Sequence, residues 1–287
     1  MEYPLVSTAW LEANLFDANV IVLDASMDTV IGKEPIVYDK FVAIPRAHKF
    51  DLENVFCDLS SPQTHAMPTV EQFYQGIAHL GIDVDSTVVI YDNQGIYSSP
   101  RAWWMFKLMG FDRVFVLDGG LPQWLSEERM TVDVYHQDES LLQGDFQAEY
   151  QDGLVCDMTY ILSRFDANDV QVFDARGAAR FNGEVAEPRE NVRSGHIPGS
   201  INLPFAQVLD GYKLKEVEAL QELFEEQDNE QTFERIFSCG SGITACILIL
   251  ASMASGHVKA VLYDGSWAEW GSHQQMPISP TQSSQQT

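Results

Sequence analysis

Val20-Ile-Val-Leu-Asp-Ala-Ser26 returns as Val170-Gln-Val-Phe-Asp-Ala-Arg176, and on this pairing the reading of the whole chain turns. Two further landmarks repeat in the same order. Ser86-Thr-Val-Val-Ile-Tyr-Asp92 answers to Glu234-Arg-Ile-Phe-Ser-Cys239, and Val116-Leu-Asp-Gly-Gly-Leu-Pro-Gln-Trp124 answers to Leu262-Tyr-Asp-Gly-Ser-Trp-Ala-Glu-Trp270. The spacing is roughly 150 positions each time, which marks two copies of one unit. The runs Thr87–Tyr91, Val114–Leu117, Val170–Phe173 and Lys259–Leu262 are short and β-branched without polar alternation. Such runs suit strands covered on both faces, as in a parallel sheet between helices. Helical patterns lie between them over Thr69–Leu80, Ser99–Met109, Val217–Glu226 and Gly242–Ser255, the last stopped by Gly256. Alternating strands and helices predict an α/β protein of two tandem domains, each a parallel sheet flanked by helices on both faces.

The expected division is a first domain over 1–132, a polar linker over 133–152, a second domain over 153–275, and a disordered Gln/Ser-rich tail over 276–287. The 287 residues suffice for two cores. Seventeen basic residues against 42 acidic ones give a formal net charge of −25, which argues against nucleic acid or an anionic membrane as partners. The apolar stretch from Ile243 to Ala254 falls short of the roughly 20 residues that span a bilayer. No basic stretch precedes an apolar run near Met1, so no secretory signal is visible and a cytoplasmic location is expected. The four cysteines form no Cys-x-x-Cys pair and no zinc spacing.

Cys239 stands apart. It follows a predicted strand and precedes Gly240-Ser-Gly-Ile-Thr244 and a helix, the place where parallel sheets present reactive groups. The glycines let the backbone curl with its N–H groups inward, making an anion cradle at a helix start. A cysteine in such a cradle is expected to act as a nucleophilic thiolate. A phosphatase loop needs an arginine six positions after the cysteine, and position 245 is Ala. Cys246 reads as a core residue. Cys156 and Cys57 carry no motif, although Cys57 lies near a possible wall of the site.

Gly195-His-Ile-Pro-Gly199, Cys239-Gly-Ser-Gly-Ile-Thr-Ala245 and Val261-Leu-Tyr-Asp-Gly-Ser-Trp-Ala-Glu-Trp270, with the duplication, resemble the two-domain rhodanese-like sulfurtransferases over essentially the whole chain. The resemblance implies a Cys239 persulfide in the second copy and a first copy that has lost its cysteine, with Asp92 in its place. The neutral Gly-Ser-Gly loop is similar to the form that uses 3-mercaptopyruvate and releases pyruvate. Thiosulfate sulfurtransferase is the alternative, and a persulfide carrier without turnover is another of a different class. Within the resemblance, Arg180 and Arg189 hold the donor carboxylate, and Gly240, Ser241, Gly242, Ile243 and Thr244 surround the sulfur. His65 reaches across from the first copy to Ser241, with Glu53 as its acid in competition with Asp51 and Asp58. A thiol, thioredoxin or cyanide takes the sulfur, and no metal or organic cofactor is called for. Arg176 and His196 are expected to be structural. The first copy departs from the family in Val42-Ala-Ile-Pro-Arg-Ala-His48, where a second Gly-His-Ile-Pro-Gly would stand.

Overall fold

The computed structural model describes residues 4–136, 144–227, 234–257 and 259–280. Strands Leu5–Val6 (β1), Val20–Asp24 (β2), Ala47–Lys49 (β3), Thr87–Tyr91 (β4) and Val114–Leu117 (β5) form one parallel sheet in the order β1-β5-β4-β2-β3. The chain continues through Val155–Cys156 (β6), Val170–Asp174 (β7) and Ile201–Asn202 (β8). It then makes a small antiparallel pair, Leu209–Asp210 (β9) with Lys213–Leu214 (β10), before Glu234–Ser238 (β11) and Ala260–Tyr263 (β12). Strands β6, β7, β8, β11 and β12 make a second parallel sheet in the order β6-β12-β11-β7-β8. The two orders match strand for strand. The registers match too: Asp24 faces Tyr91, and Asp174 faces Ser238. The residues that follow, Asp92 and Cys239, are therefore equivalent points of the two copies.

The helices are Thr8–Asn14 (α1), Val70–Ile77 (α2), Ser99–Leu108 (α3), Gly120–Ser126 (α4), Met158–Arg164 (α5), Ala178–Phe181 (α6), Val217–Glu225 (α7), Ala245–Ala254 (α8) and Ser266–Ser272 (α9). Thr69 starts α2 through a reciprocal capping box with Gln72. The helical pattern expected from Gly242 begins instead at Ala245, because Gly242 takes φ +79° and cannot continue a right-handed helix. Positions 242–244 are thereby released to the loop around Cys239.

Helices α3 and α8 pack on each other across the two copies. Nearly every residue of both is buried, including Trp103, Phe106, Leu248 and Ile249. Each has a sheet on one side and the other helix opposite, so neither keeps a polar stripe. One apolar cluster runs from Leu23 and Val88 in the first copy to Phe237 and Leu262 in the second. Full burial of such a side chain stabilises by about 1.5–3 kcal/mol, so this shared core makes the copies one thermodynamic body.

Of the expected linker, 137–143 lie outside the described residues. Its later part straps the end of α3, with Glu149 N–H on Met109 O and Gln151 N–H on Leu108 O. The stretch expected as a disordered tail from 276 is anchored as far as Pro280. Trp270 Nε1 donates to Pro277 O at 2.7 Å, and Ser279 exchanges two backbone bonds with His196. Residues 281–287 lie outside the described residues. Among the described residues no helix is long and apolar enough to cross a membrane.

Candidate active site

Strand β11 delivers Cys239 to the carboxyl edge of the second sheet, where it is only 2% exposed. The repeated Leu262–Trp270 motif explains how it is held. Cys239 N–H donates to Ser266 Oγ at 3.1 Å, and that hydroxyl donates on to Tyr263 O. Trp267 N–H and Ala268 N–H bond Cys239 O and Gly240 O, each at 2.9 Å. The turn into α9 is thus laced to the cysteine loop.

A cavity of about 160 Å³ opens at Cys239. That is well below the ~300 Å³ at the lower end for drug-sized ligands, so it suits a small molecule. Gly240, Ser241, Ile243 and Thr244 line it, with Arg180 and Arg189 from the same copy and Glu53 and His65 from the other. The expected site residues therefore converge, except Gly242. Its carbonyl turns away to Arg101 Nη1 at 3.3 Å and to the Cys246 thiol, also at 3.3 Å. The opposite wall is supplied by Met27, Thr29, Ile31 and Tyr97 of the first copy. Sequence reasoning missed this wall, since none of these residues carries a motif.

A Cβ on Gly240 would lie 3.2 Å from Arg180 Nη2 and 3.6 Å from Arg189 Nη1, so a side chain there would press on the arginines. Both guanidinium groups thus stand beside the first residue after the cysteine. Buried Glu187 orients Arg180, accepting from Nη2 at 2.5 Å and from Nε at 3.2 Å. The same carboxylate accepts from Arg176 Nη1 at 2.9 Å. Arg176 is buried, doubly bonded to Asp174, and stacked over Trp267 at 4.6 Å. His196 bonds Phe181 O through Nδ1 at 2.8 Å and lies against the Phe181 ring, away from the cavity wall.

Ser241 Oγ accepts from Arg189 Nη2 at 3.0 Å and lies 3.0 Å from His65 Nδ1. With the arginine on one lone pair, the hydroxyl keeps a second lone pair and one hydrogen, so it can meet either tautomer of His65. Burial, then the charges of Arg101 and Arg189, lower the His65 pKa to about 4, consistent with a neutral ring. The acid expected behind it is not bonded to it among the described residues. Glu53 Oε2 accepts from Asp28 N–H, Asp51 from the Glu53 and Asn54 N–H groups, and Asp58 from Ser60. All four cysteines are free. Cys57 is buried with its thiol on Glu53 O and does not line the cavity.

The first copy shows what the loop does with a resident carboxyl group. Asp92 Oδ2 accepts from Tyr97, Ser98 and Ser99 N–H and from the Ser99 hydroxyl, all within 3.0 Å. Oδ1 takes Gln94 N–H at 2.9 Å. A fixed carboxylate fills the cradle there, and in the second copy a thiol stands at the same point.

A duplicated parallel α/β unit with a cysteine loop in one copy and its cradle self-filled in the other defines a thiol-dependent group-transfer protein. The rhodanese-like domain model matches residues 7–127 and 157–273, and the chain belongs to the rhodanese-like family with two copies of that domain. A thiosulfate/3-mercaptopyruvate sulfurtransferase of Arabidopsis thaliana is 36% identical over 98% of this chain and 79% of its own length. A 3-mercaptopyruvate sulfurtransferase of Escherichia coli K12 is 34% identical over 96% of this chain and 97% of its own. The crystal structure of SseA from Escherichia coli, described as a 3-mercaptopyruvate sulfotransferase, superposes with TM-score 0.79 at 33% identity, covering 92% of this chain and 98% of that one.

Proposed function

We propose that this protein transfers sulfur from 3-mercaptopyruvate to a thiol acceptor through a persulfide on Cys239. The observation that carries the reading is one small cavity that joins Cys239, a neutral Gly-Ser loop and two arginines. Arg180 and Arg189 hold the donor carboxylate by charge-assisted bonds. The Cys239 thiolate attacks the donor sulfur, an S–S bond forms, and the S–C bond breaks with its electron pair passing to the enolate of pyruvate. The donor's own thiol proton balances the enolate carbon, leaving an anionic outer sulfur among the N–H groups of 240–244. Ser241, held between Arg189 and neutral His65, hydrogen-bonds the keto oxygen as charge develops there. An acceptor thiolate, that of thioredoxin or a small thiol, or cyanide then takes the outer sulfur and returns Cys239. The domains divide at the 133–152 segment, and a reducing cytoplasm suits a free thiol nucleophile.

A second reading, thiosulfate as donor, draws on the double name of the Arabidopsis relative. Against it stands the absence of a basic side chain in Gly240–Thr244. A carrier without turnover would have no use for the arginine pair. Steady-state pyruvate release and a donor panel decide. The expected result is a higher kcat/KM for mercaptopyruvate than for thiosulfate, with no turnover in Cys239→Ser. Pyruvate release by that variant, or a clear thiosulfate preference, would overturn the proposal.

A further inference from the structure

Arg101 sits in α3 of the copy that has no cysteine, is 0% exposed, and belongs to none of the motifs of the sulfur-transfer site. Its Nη2 donates to His65 O at 2.5 Å and its Nη1 to Gly242 O at 3.3 Å. Nη1 also ion-pairs with Asp264 Oδ1 at 2.8 Å. Asp264 in turn accepts Met67 N–H at 2.8 Å on its other oxygen. One guanidinium therefore ties the segment carrying His65, the loop carrying Ser241, and the motif that holds Cys239.

The geometry points to Arg101 as a positioning residue that aims the sulfur-binding loop and sets His65 against Ser241. Three observations carry this. A planar trans peptide has its C=O and N–H on opposite sides. Pinning Gly242 O toward Arg101 turns Ile243 N–H the other way, toward the cavity that Ile243 lines. Gly242 can make this turn only as glycine: its φ is +79°, and a Cβ would meet Arg101 Nη1 at 2.7 Å. On the other side, His65 holds φ +59°, a left-handed conformation rare outside glycine, with its carbonyl in the grip of Arg101.

Energetics say that such an arginine is not there for stability. A buried ion pair is commonly matched or bettered by packed apolar side chains. A guanidinium offers what an apolar residue cannot, a rigid fork that fixes two carbonyls relative to each other. Those two carbonyls come from opposite copies, 177 positions apart in sequence by 242 − 65. Arg101 thus converts domain docking into loop geometry, and the first copy contributes to the chemistry without a cysteine of its own.

The inference rests on the sulfur-transfer reading for its kinetic readout, so a donor-free readout accompanies it. Arg101→Lys keeps the charge and loses the fork. Its kcat for pyruvate release, counted per Cys239 thiol titrated, is expected to fall roughly 100-fold, as for a displacement of about 1 Å at a reacting group. KM should stay within about threefold, because Arg180 and Arg189 are untouched. Iodoacetamide labelling of Cys239, followed by peptide mass, is expected to slow about tenfold, the equivalent of one lost hydrogen bond to an anion. A merely structural role would lower the titratable fraction and leave both rates per thiol at wild-type values, and that result overturns the inference. If Arg101→Lys does not fold, Asp264→Asn, which frees the guanidinium while its amide oxygen still accepts Met67 N–H, decides by the same two readouts. Failure of mercaptopyruvate as a donor for wild type would sink the functional proposal, while the labelling rate would still judge Arg101.

Discussion

His65 Nδ1 lies 3.0 Å from Ser241 Oγ, a contact made across the interface of the two copies by residues 176 positions apart. The serine oxygen is simultaneously held by Arg189, and its one hydrogen stays free to turn to the ring or to a bound donor. The pair is in place at the cavity before any donor molecule arrives, with a ring whose pKa burial lowers to about 4.

Ser241→Ala should expose how much this pair contributes. Its removal takes away the group nearest the developing enolate but leaves Cys239 and both arginines. The expected effect is a fall in kcat of about 100-fold, at the low end for a positioned proton-transfer group, with KM changed far less. Steady-state pyruvate kinetics measure it, and an unchanged kcat would remove Ser241 from the mechanism.

The depressed pKa of His65 predicts a pH signature in stability. The unfolded ring protonates near pH 6.5 and the folded one near 4. Between these values the unfolded chain binds more protons, so stability rises with pH. The His65 contribution is complete above 6.5 and is lost as pH falls through that window, by on the order of 1–2 kcal/mol at pH 5. Urea unfolding at pH 7 and pH 5 measures the drop, and His65→Gln should lessen it. An identical pH slope in the variant would show that the ring titrates normally.

Glu187 holds Arg180 and Arg176 together through one buried carboxylate. Glu187→Gln should let Arg180 drift from the cavity and raise the KM for mercaptopyruvate about tenfold, equivalent to about 1.4 kcal/mol of charge-assisted binding. The kcat should change little, because the group acts on the carboxylate rather than the sulfur. An unaltered KM would mean that Arg180 is oriented by other contacts.

Asp92 is a structural carboxyl group, whose pKa burial raises above the usual carboxylate range against the hydrogen bonds that favour its charge. Asp92→Ala would leave the N–H groups of Gln94, Tyr97, Ser98 and Ser99 buried without their acceptor. The loss should be about 3 kcal/mol or more, since each orphaned buried donor costs roughly 1–3 kcal/mol. Denaturant unfolding checks it, and a change under about 1 kcal/mol would show that water or a rearranged loop replaces the carboxylate.

Much of the architecture was legible from local sequence. Thr87–Tyr91 and Val114–Leu117 are strands over the residues read from their β-branched runs, and the matched Asp92 and Cys239 occupy equivalent register points. The start of α8 was misplaced by three residues. Apolar periodicity runs back to Gly242, but backbone sign, not hydrophobicity, ends the helix. The acid behind His65 could not be chosen from Glu53, Asp51 and Asp58. In the fold, Glu53 accepts from Asp28, Asp51 from the turn that follows it, and Asp58 from Ser60 and Gln72.

Sequence alone determined the duplication and the parallel α/β units, and it singled out Cys239 with its glycine-rich loop and the two arginines as candidates that the fold brings to one cavity. Those features are written in periodicity and in short motifs whose parts are neighbours along the chain. Only the tertiary structure decided that Arg101 grips His65 and Gly242, that Glu187 aims Arg180, and that Met27 and Tyr97 wall the cavity. It also brings His65 to Ser241, a meeting that the family resemblance implies but that no motif of either copy encodes by itself. These depend on where the packing of α3 against α8 brings one copy to rest on the other, and that docking is set by the summed shape of two apolar faces, which no single motif encodes.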